Sequence, residues 1–155
     1  MSVCQPNISR SKVRVRYAET DQMGVVYHAN FFIWFEVGRV ELLRQLGLDY
    51  KQLESQEKFH IAVVEASCRY KSPARYDDEL ILETQVVALR RSVLKFGYRV
   101  LRDETGSLRL LADGGTTHVV VDGRLQRVDL PERFATALEQ FMEGQLMAQA
   151  PDTGT

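Results

Sequence analysis

The chain has 155 residues, a length that suits one domain with a hydrophobic core of its own. Hydrophobic residues make up 45% of it and charged residues 26%, which is typical of a folded globular protein and excludes a disordered chain. The formal net charge of −1 attracts neither nucleic acid nor an anionic membrane, and no apolar run is long enough to span a bilayer.

The termini and the cysteines indicate a cytoplasmic protein. The N-terminus lacks the basic and then apolar pattern of a secretion signal. Cys4 and Cys68 make neither a disulfide framework nor a zinc-ligand pattern, so we expect free thiols. We further expect a flexible tail over residues 1–10, a single domain over residues 11–144 and a disordered tail over residues 145–155.

In chain order, the first predicted elements are a strand and a long helix. Residues 11–17 alternate between apolar and basic side chains, which predicts a half-buried strand with Tyr17 on its apolar side. From Phe31 to Leu46 the apolar stripe is too wide for a surface helix, so other elements should surround this helix on most sides. Gly47 is placed to end the helix, and residues 49–56 favour a second, short helix.

Four strands and a helix are predicted for the rest of the domain. Short turns join most of these strands, which indicates antiparallel neighbours. An interruption is predicted at Gly114 and Gly115, where a bulge or a close backbone approach is expected. The fold class is therefore α+β, with one antiparallel sheet curled around one long helix. The predicted elements are strands at 60–71, 79–89, 93–102 and 108–121 and a helix at 132–143.

The loop before the long helix carries the candidate chemistry. The first amides of a helix have no partner within the helix, and together with the helix dipole they can stabilise an oxyanion. Asp21 lies a few residues upstream, and Gly24 allows the backbone to approach a ligand closely. A carboxylate beside oxyanion donors is the minimal equipment for acyl transfer.

Each candidate also has a structural interpretation. Asp21 can serve only as a turn or capping residue, and Tyr27 can be a core or interface aromatic. His28 can be a partly buried histidine bonded to the backbone. Asn30 suits the N-cap of the helix, although it could instead orient the Asp21 loop. The residues alone leave these alternatives open.

The segment YAETDQMGVVYHANF at residues 17–31 resembles the signature of the hotdog-fold 4-hydroxybenzoyl-CoA thioesterase family. It is most similar to the Tol-Pal-associated acyl-CoA thioesterase subfamily. Phe35, Glu36, Arg39 and Leu43 extend the match, and the turn SPARYDD at residues 72–78 matches the family as well. The resemblance implies a hotdog fold and a cytoplasmic acyl-CoA thioesterase without cofactor or metal.

The resemblance also implies roles for individual residues. Asp21 corresponds to the catalytic aspartate, which acts either as nucleophile or as general base. His28 corresponds to the residue whose backbone N–H faces the thioester oxygen, and its side chain could assist proton transfer. Gly24 lies beside the acyl group, and Val25, Tyr27 and Asn30 belong with it to the implied substrate-binding residues.

A basic turn and an interface complete the implied site. Arg90 and Arg91 match a turn that meets the coenzyme A phosphates in related enzymes, although a solvated hairpin tip explains them equally well. A homodimer or homotetramer is expected, with Tyr27 and residues 58–64 as interface candidates. An acyl carrier protein is a further candidate partner; nucleic acid is not, because no helix-turn-helix stretch is present.

The expected activity is hydrolysis of a short-to-medium-chain or aromatic acyl-CoA. Two alternatives are also compatible with these residues. A hotdog hydratase or dehydratase would need a histidine–acid pair, which His28 and Asp21 could resemble. A non-catalytic module would bind an acyl-CoA or an acyl carrier protein without turnover.

Overall fold

The computed structural model describes residues 6–56 and 58–148, in which one five-stranded sheet packs against one long helix. The predicted features of residues 1–5 and 149–155 lie outside the described residues. The strands are β1 (Ser9–Arg14), β2 (Phe59–Tyr70), β3 (Glu79–Arg90), β4 (Val93–Glu104) and β5 (Ser107–Asp122); the helices are α1 (Asn30–Gln45), α2 (Tyr50–Gln56) and α3 (Glu132–Met142). The strand order is β1-β3-β4-β5-β2 with every neighbouring pair antiparallel, which confirms the predicted α+β architecture.

The long helix α1 ends as its sequence predicts. Gly47 has a φ of 78°, and its N–H donates to the Arg44 carbonyl oxygen at 3.0 Å. The Leu48 N–H donates to the Leu43 carbonyl oxygen at 2.8 Å, so both hydrogen bonds of a Schellman ending are present. The helix buries one face against the sheet through Phe31, Trp34, Phe35, Gly38, Leu42 and Leu43.

The opposite face of α1 is less covered than the sequence predicts. Ile33 is 52% exposed, Glu36 is exposed, and Val37 and Val40 are only partly buried. The prediction that other elements surround this helix on most sides therefore holds, except along one face, where Ile33, Glu36 and Arg44 are exposed. The sheet curls around α1, and a stripe that includes Ile33 remains accessible on the uncovered face.

Strand β1 is shorter at its C-terminal end than predicted, and Tyr17 is not buried. The last β1 pair joins Arg14 to Glu79, the first residue of β3, so the chain has no strand to pair with beyond this point. It turns into a short 3-10 helix, Tyr17–Glu19, and leaves Tyr17 77% exposed. The predicted burial of Val15 is confirmed.

Strand β5 is continuous through Gly114, so the predicted interruption is wrong, but the close approach is present. A Cβ atom at Gly114 would lie 2.2 Å from the Ser67 carbonyl oxygen and 2.8 Å from Cε2 of Phe35. The glycine therefore leaves room for the ring of Phe35, which stacks on Tyr98 with ring centroids 4.4 Å apart. The absence of a side chain at Gly114 therefore lets α1 pack closely against the sheet.

Replacing Gly114 with alanine should destabilise the domain, because the added methyl group would press on both a backbone carbonyl and the Phe35 ring. We expect the free energy of unfolding to fall by about 3 kcal/mol, measured by urea denaturation. Gly123→Ala is the matched control, because nothing lies within 4 Å of its added Cβ. Equal stability of the two variants would contradict the packing described for Gly114.

The described parts of the predicted tails pack against the domain. Strand β1 begins at Ser9, which is buried and donates from its hydroxyl to Gln45 Oε1 at 2.6 Å. After α3, the backbone amide of Gln145 donates to the Gln140 carbonyl oxygen at 2.8 Å, and Ala148 is buried. Within the residues described, no helix is both long enough and apolar enough to cross a membrane.

Candidate active site

A buried carboxylate, Glu19, fixes the loop between β1 and α1. Its Oε1 accepts a hydrogen bond from the Arg16 amide at 2.7 Å, and its Oε2 accepts one from Trp34 Nε1 at 3.2 Å. Its backbone carbonyl accepts from the Tyr27 amide at 2.9 Å and from Asn30 Nδ2 at 2.8 Å. One residue thus ties both ends of the loop to the central helix.

Asn30 does not cap the helix. It is the first residue of α1, and Ala29 occupies the N-cap position without a side-chain hydrogen bond. The Asn30 side chain donates to the Glu19 carbonyl oxygen instead of accepting from a helix amide. The capping interpretation is therefore wrong, and the contacts match the alternative in which Asn30 orients the Asp21 loop.

Asp21 closes a tight turn with one carboxylate oxygen. Its Oδ1 accepts hydrogen bonds from the amides of Met23 at 2.9 Å and Val25 at 3.3 Å, and its own amide donates to the Val25 carbonyl oxygen at 2.8 Å. Gly24 adopts a φ of 79°, a conformation that favours glycine. The turn interpretation of Asp21 is thus correct for Oδ1, whereas Oδ2 has no partner among the hydrogen bonds of the described residues.

Asp21 lines an open cleft of about 330 Å³. The walls come from the loop that contains Asp21, Val25 and His28, from Phe31 at the start of α1, and from Tyr70 at the end of β2. Residues 71–74 close the remaining side, and the isolated bridge between Val25 and Arg75 joins this segment to the loop. The structure therefore brings Asp21, Val25 and His28 to one cleft.

The unpaired amides lie just before the helix rather than within its first turn. The amides of Asn30, Phe31 and Phe32 donate to carbonyl oxygens three residues earlier, at 3.0 to 3.3 Å. The amides of His28 and Ala29 donate to no acceptor in the part of the chain that the structure describes. His28 lines the cleft and Ala29 follows it in the chain, so two consecutive N–H groups are available near the cleft as hydrogen-bond donors.

The ring of His28 packs between two tyrosines. Its centroid lies 4.5 Å from that of Tyr27 and 6.2 Å from that of Tyr70. The residue is exposed, and within the described segments its ring makes no hydrogen bond, so the interpretation as a partly buried, backbone-bonded histidine is wrong. No hydrogen bond joins it to Asp21 there either, and the proton-moving pair that a hydratase requires is not formed. Tyr27 is 50% exposed beside it.

The contact between Tyr70 and the Asp21 loop is not predicted by the sequence. Its hydroxyl donates to the His28 carbonyl oxygen at 2.9 Å, across 42 positions of sequence. Its ring meets that of Phe31 edge to face, with centroids 5.2 Å apart. Partial burial raises the pKa of Tyr70 to about 12, so the hydroxyl keeps its proton at neutral pH.

Arg90 and Arg91 lie at the other end of the sheet from the Asp21 cleft. They form the exposed tip between β3 and β4, as the hairpin interpretation predicts. Val93 lies at this tip. Val100 and Tyr70, in contrast, both pair with Ala112 of β5, so Val100 marks the end of the sheet that carries the cleft. Seven residues of strand separate the two positions, which is about 23 Å at 3.3 Å per residue. One chain alone does not bring these arginines to Asp21.

A second polar cluster lies under α1 and has a structural role. His118 Nε2 contacts Thr116 Oγ1 at 2.8 Å, and the same hydroxyl lies 2.6 Å from the Tyr98 hydroxyl. Burial lowers the pKa of His118 to about 4, so this histidine is neutral at physiological pH. It does not line the Asp21 cleft. Among the described residues, no group of three or more metal-ligating side chains comes together.

Comparison with known proteins gives the family. A family model described as the Thioesterase-like superfamily matches residues 15–138. The chain belongs to this superfamily. The match begins just after β1 and spans the Asp21 loop, α1 and strands β2 to β5, so it includes every element that lines the cleft. Membership confirms the resemblance found in the sequence, and the acyl-CoA thioesterases among the relatives of this chain make it a thioester hydrolase.

Relatives of this thioesterase-like chain cover most of its length. It is 35% identical over 116 residues to YneP of Bacillus subtilis, a putative acyl-CoA thioesterase. The aligned region covers 75% of this chain and 81% of the relative. It is 36% identical over 132 residues to the acyl-CoA thioester hydrolase YbgC of Escherichia coli O6:H1. The aligned region covers 84% of this chain and 96% of that relative.

A solved structure shows the same fold. A 4-hydroxybenzoyl CoA thioesterase variant, complexed with 4-hydroxybenzoyl CoA, superimposes with a TM-score of 0.79 at 19% identity. The match covers 85% of this chain and 99% of that structure. This likeness confirms the hotdog fold, in which a five-stranded antiparallel sheet packs around one long helix.

Proposed function

We propose that this thioesterase hydrolyses acyl-CoA thioesters in the Asp21 cleft. The observation that carries the proposal is that Asp21 and His28 line one cleft: Asp21 Oδ2 has no hydrogen bond among the described residues, and neither does the N–H of His28 or that of the adjacent Ala29. A carboxylate and oxyanion donors around one cavity match the needs of acyl transfer. The names of YneP and YbgC support an acyl-CoA as the substrate class.

In the proposed reaction the thioester carbonyl oxygen accepts hydrogen bonds from the His28 and Ala29 amides. These donors stabilise the negative charge that develops on that oxygen. Asp21 Oδ2 attacks the carbonyl carbon, the coenzyme A thiolate leaves, and water hydrolyses the resulting anhydride to free acid and the original carboxylate. In the alternative route Asp21 takes a proton from a water molecule, which attacks the same carbon.

The cleft walls suit an acyl chain or an aromatic ring. Val25, Phe31 and Pro73 present apolar surface, and Lys71 places a cation at the same cleft. Gly24 and Asn30 act indirectly in this proposal, because Gly24 permits the Asp21 turn and Asn30 holds the loop against α1. Tyr27 supports the His28 ring from the solvent side.

A panel of acyl-CoA substrates tests the proposal. Short aliphatic, medium-chain aliphatic and aromatic acyl-CoAs are incubated with the protein under one condition, and free thiol is measured. We expect thiol release from at least one class. Binding of acyl-CoA without thiol release would favour the binding module, and hydration of an enoyl-CoA without thiol release would favour a hydratase.

We also propose that two copies pair through β2. This strand is the edge of the sheet, and it carries exposed apolar side chains at Val63 (49%) and Val64 (58%). An exposed apolar edge strand is a ready surface for pairing with another strand. Antiparallel pairing about the middle of β2 would set Phe59 of one subunit opposite Tyr70 of the other.

This pairing gives Arg90 and Arg91 a place in the site. Their hairpin tip lies at the Phe59 end of the sheet, so in the pair it would lie at the end that carries the neighbouring subunit's cleft. The two arginines could then meet coenzyme A phosphates bound mainly by the other chain. A second pairing to a tetramer, and an acyl carrier protein as a partner, stay predictions.

Val64→Arg should break the pair, because it places a charge on the apolar edge of β2. We expect a dimeric wild type and a monomeric variant by size-exclusion chromatography with light scattering, with a lower kcat/KM for the variant. Val87→Arg is the matched control, since Val87 is 60% exposed on β3, away from the edge. A monomeric wild type, or a Val64→Arg variant that stays dimeric, would contradict pairing through this strand.

A further inference from the structure

We infer that Tyr70 is a positioning residue: it holds the His28–Ala29 peptide so that the free Ala29 N–H of that peptide faces the thioester oxygen. The inference rests on the function proposed above. It concerns the last residue of β2, which lies outside both segments that resemble the family, residues 17–31 and the turn at residues 72–78. The role follows from three contacts that Tyr70 makes with the start of α1.

The first contact is the hydrogen bond from the Tyr70 hydroxyl to the His28 carbonyl oxygen, 2.9 Å long. This carbonyl belongs to the same planar peptide unit as the Ala29 N–H, and the two groups point in opposite directions. Fixing the oxygen therefore fixes the direction of the Ala29 N–H. The His28 carbonyl also accepts from the Phe31 amide, but at 3.3 Å, so the phenol is the shorter of its two bonds.

The other two contacts hold the tyrosine ring itself. The ring lies edge to face against His28 at 6.2 Å and against Phe31 at 5.2 Å, with interplanar angles of 85° and 84°. Edge-to-face pairs of this kind are favourable arrangements for aromatic rings. Tyr70 therefore contacts both His28, which carries one of the free amides, and Phe31 in the first turn of α1. The end of β2 and the beginning of α1 are joined at the point where the substrate carbonyl is expected.

The position of the hydroxyl separates this role from direct catalysis. Its proton is donated to the His28 carbonyl oxygen, and the raised pKa keeps the hydroxyl protonated at neutral pH. Tyr70 thus acts through the peptide and not on the reacting atoms. Removing the hydroxyl should weaken stabilisation of the oxyanion while leaving the cleft and its apolar walls in place.

Tyr70→Phe tests the inference, because it deletes the hydroxyl and keeps both ring contacts. We expect kcat for the best acyl-CoA substrate to fall about 10-fold, which corresponds to about 1.4 kcal/mol of transition-state stabilisation. KM should change less than twofold, and the melting temperature should stay close to that of the wild type. Tyr76→Phe is the matched control: its ring is exposed and, within the described residues, its hydroxyl makes no hydrogen bond.

Two inhibitors add a measurement that a purely structural role would not change. A ketone analogue, in which CH2 replaces the thioester sulfur, keeps the carbonyl oxygen; a thioether analogue lacks it. We expect Tyr70→Phe to weaken binding of the ketone several-fold and to leave binding of the thioether unchanged.

Equal kcat in wild type and Tyr70→Phe would overturn the inference while leaving the thioesterase proposal intact. A variant that failed to fold, or that weakened both inhibitors equally, would also overturn it, because the hydroxyl would then serve the stability of the domain. Absence of thiol release by the wild type itself would instead defeat the proposed function.

Discussion

Asp21→Asn should lower kcat for acyl-CoA hydrolysis by roughly 1,000-fold, whichever route the reaction takes. An amide is not a competent nucleophile, and it cannot take a proton from water. General-base catalysis alone contributes about 10²- to 10⁴-fold, and loss of a nucleophile is at least as damaging. The measurement is thiol release under saturating substrate, with KM determined for the same preparation.

The substitution is informative because asparagine can keep the turn. Its side-chain oxygen can still accept from the Met23 and Val25 amides, as Oδ1 of Asp21 does. We therefore expect an unchanged circular dichroism spectrum and melting temperature. Asp49→Asn is the matched control, since Asp49 Oδ1 accepts from the Lys51 amide at 2.9 Å in a similar exposed turn outside the cleft. Near-normal turnover by folded Asp21→Asn would contradict the mechanism.

Glu19→Ala should reduce both stability and activity. The change leaves the Trp34 indole N–H buried without its acceptor and removes the side-chain bond to the Arg16 amide. Because the substitution removes a buried carboxylate and leaves its hydrogen-bond donors without an acceptor, we expect the free energy of unfolding to fall by about 3 kcal/mol. Because Glu19 positions the Asp21 loop, kcat should fall as well, at temperatures where the variant is still folded.

Urea denaturation and steady-state kinetics of the same variant measure both effects. Glu79→Ala is the control, because Glu79 is an exposed carboxylate whose ion pairs to Lys12 and Arg14 lie on the surface; such pairs contribute about 0–1 kcal/mol. In a Trp34→Phe background the effect of Glu19→Ala should shrink, since the buried donor is already gone. Full additivity of the two changes would show that Glu19 does not act through the indole.

The elements that local pattern determines could be predicted from the sequence. In β4 the alternation of Leu94, Phe96, Tyr98 and Val100 has a period of two, and all four side chains are buried. The end of α1 at Gly47 could be predicted from residue type alone, since few residues other than glycine adopt its positive φ. In α3, Phe134, Leu138 and Phe141 are spaced for one face and are buried.

The errors arise where a distant partner decides the outcome. Tyr17 continues the alternation of β1, but β3 begins only at Glu79 and no strand remains to pair with it. Gly114 looks like a strand interruption, yet the Phe35 ring of α1 requires a glycine there. Asn30 has the residue type of an N-cap, but its side chain donates a hydrogen bond to the Glu19 carbonyl oxygen instead.

The candidate site divides in the same way. The loop motif that carries Asp21, Gly24 and His28 is contiguous, so the sequence could place it beside the start of a helix. Glu19 and Tyr70 could not be found in this way. Each acts through hydrogen bonds to residues 11 to 42 positions away, and neither differs in type from an ordinary strand or loop residue.

A crystal structure of the Asp21→Asn variant with an unreacted acyl-CoA tests the central claim most directly. The account predicts a thioester carbonyl oxygen at about 2.7–3.1 Å from the amide nitrogen of His28 or Ala29. It also predicts the carbonyl carbon at about 3–3.5 Å from the side chain at position 21, the distance of a reacting pair. A substrate whose carbonyl points away from both amides, or whose acyl group lies outside this cleft, would contradict it.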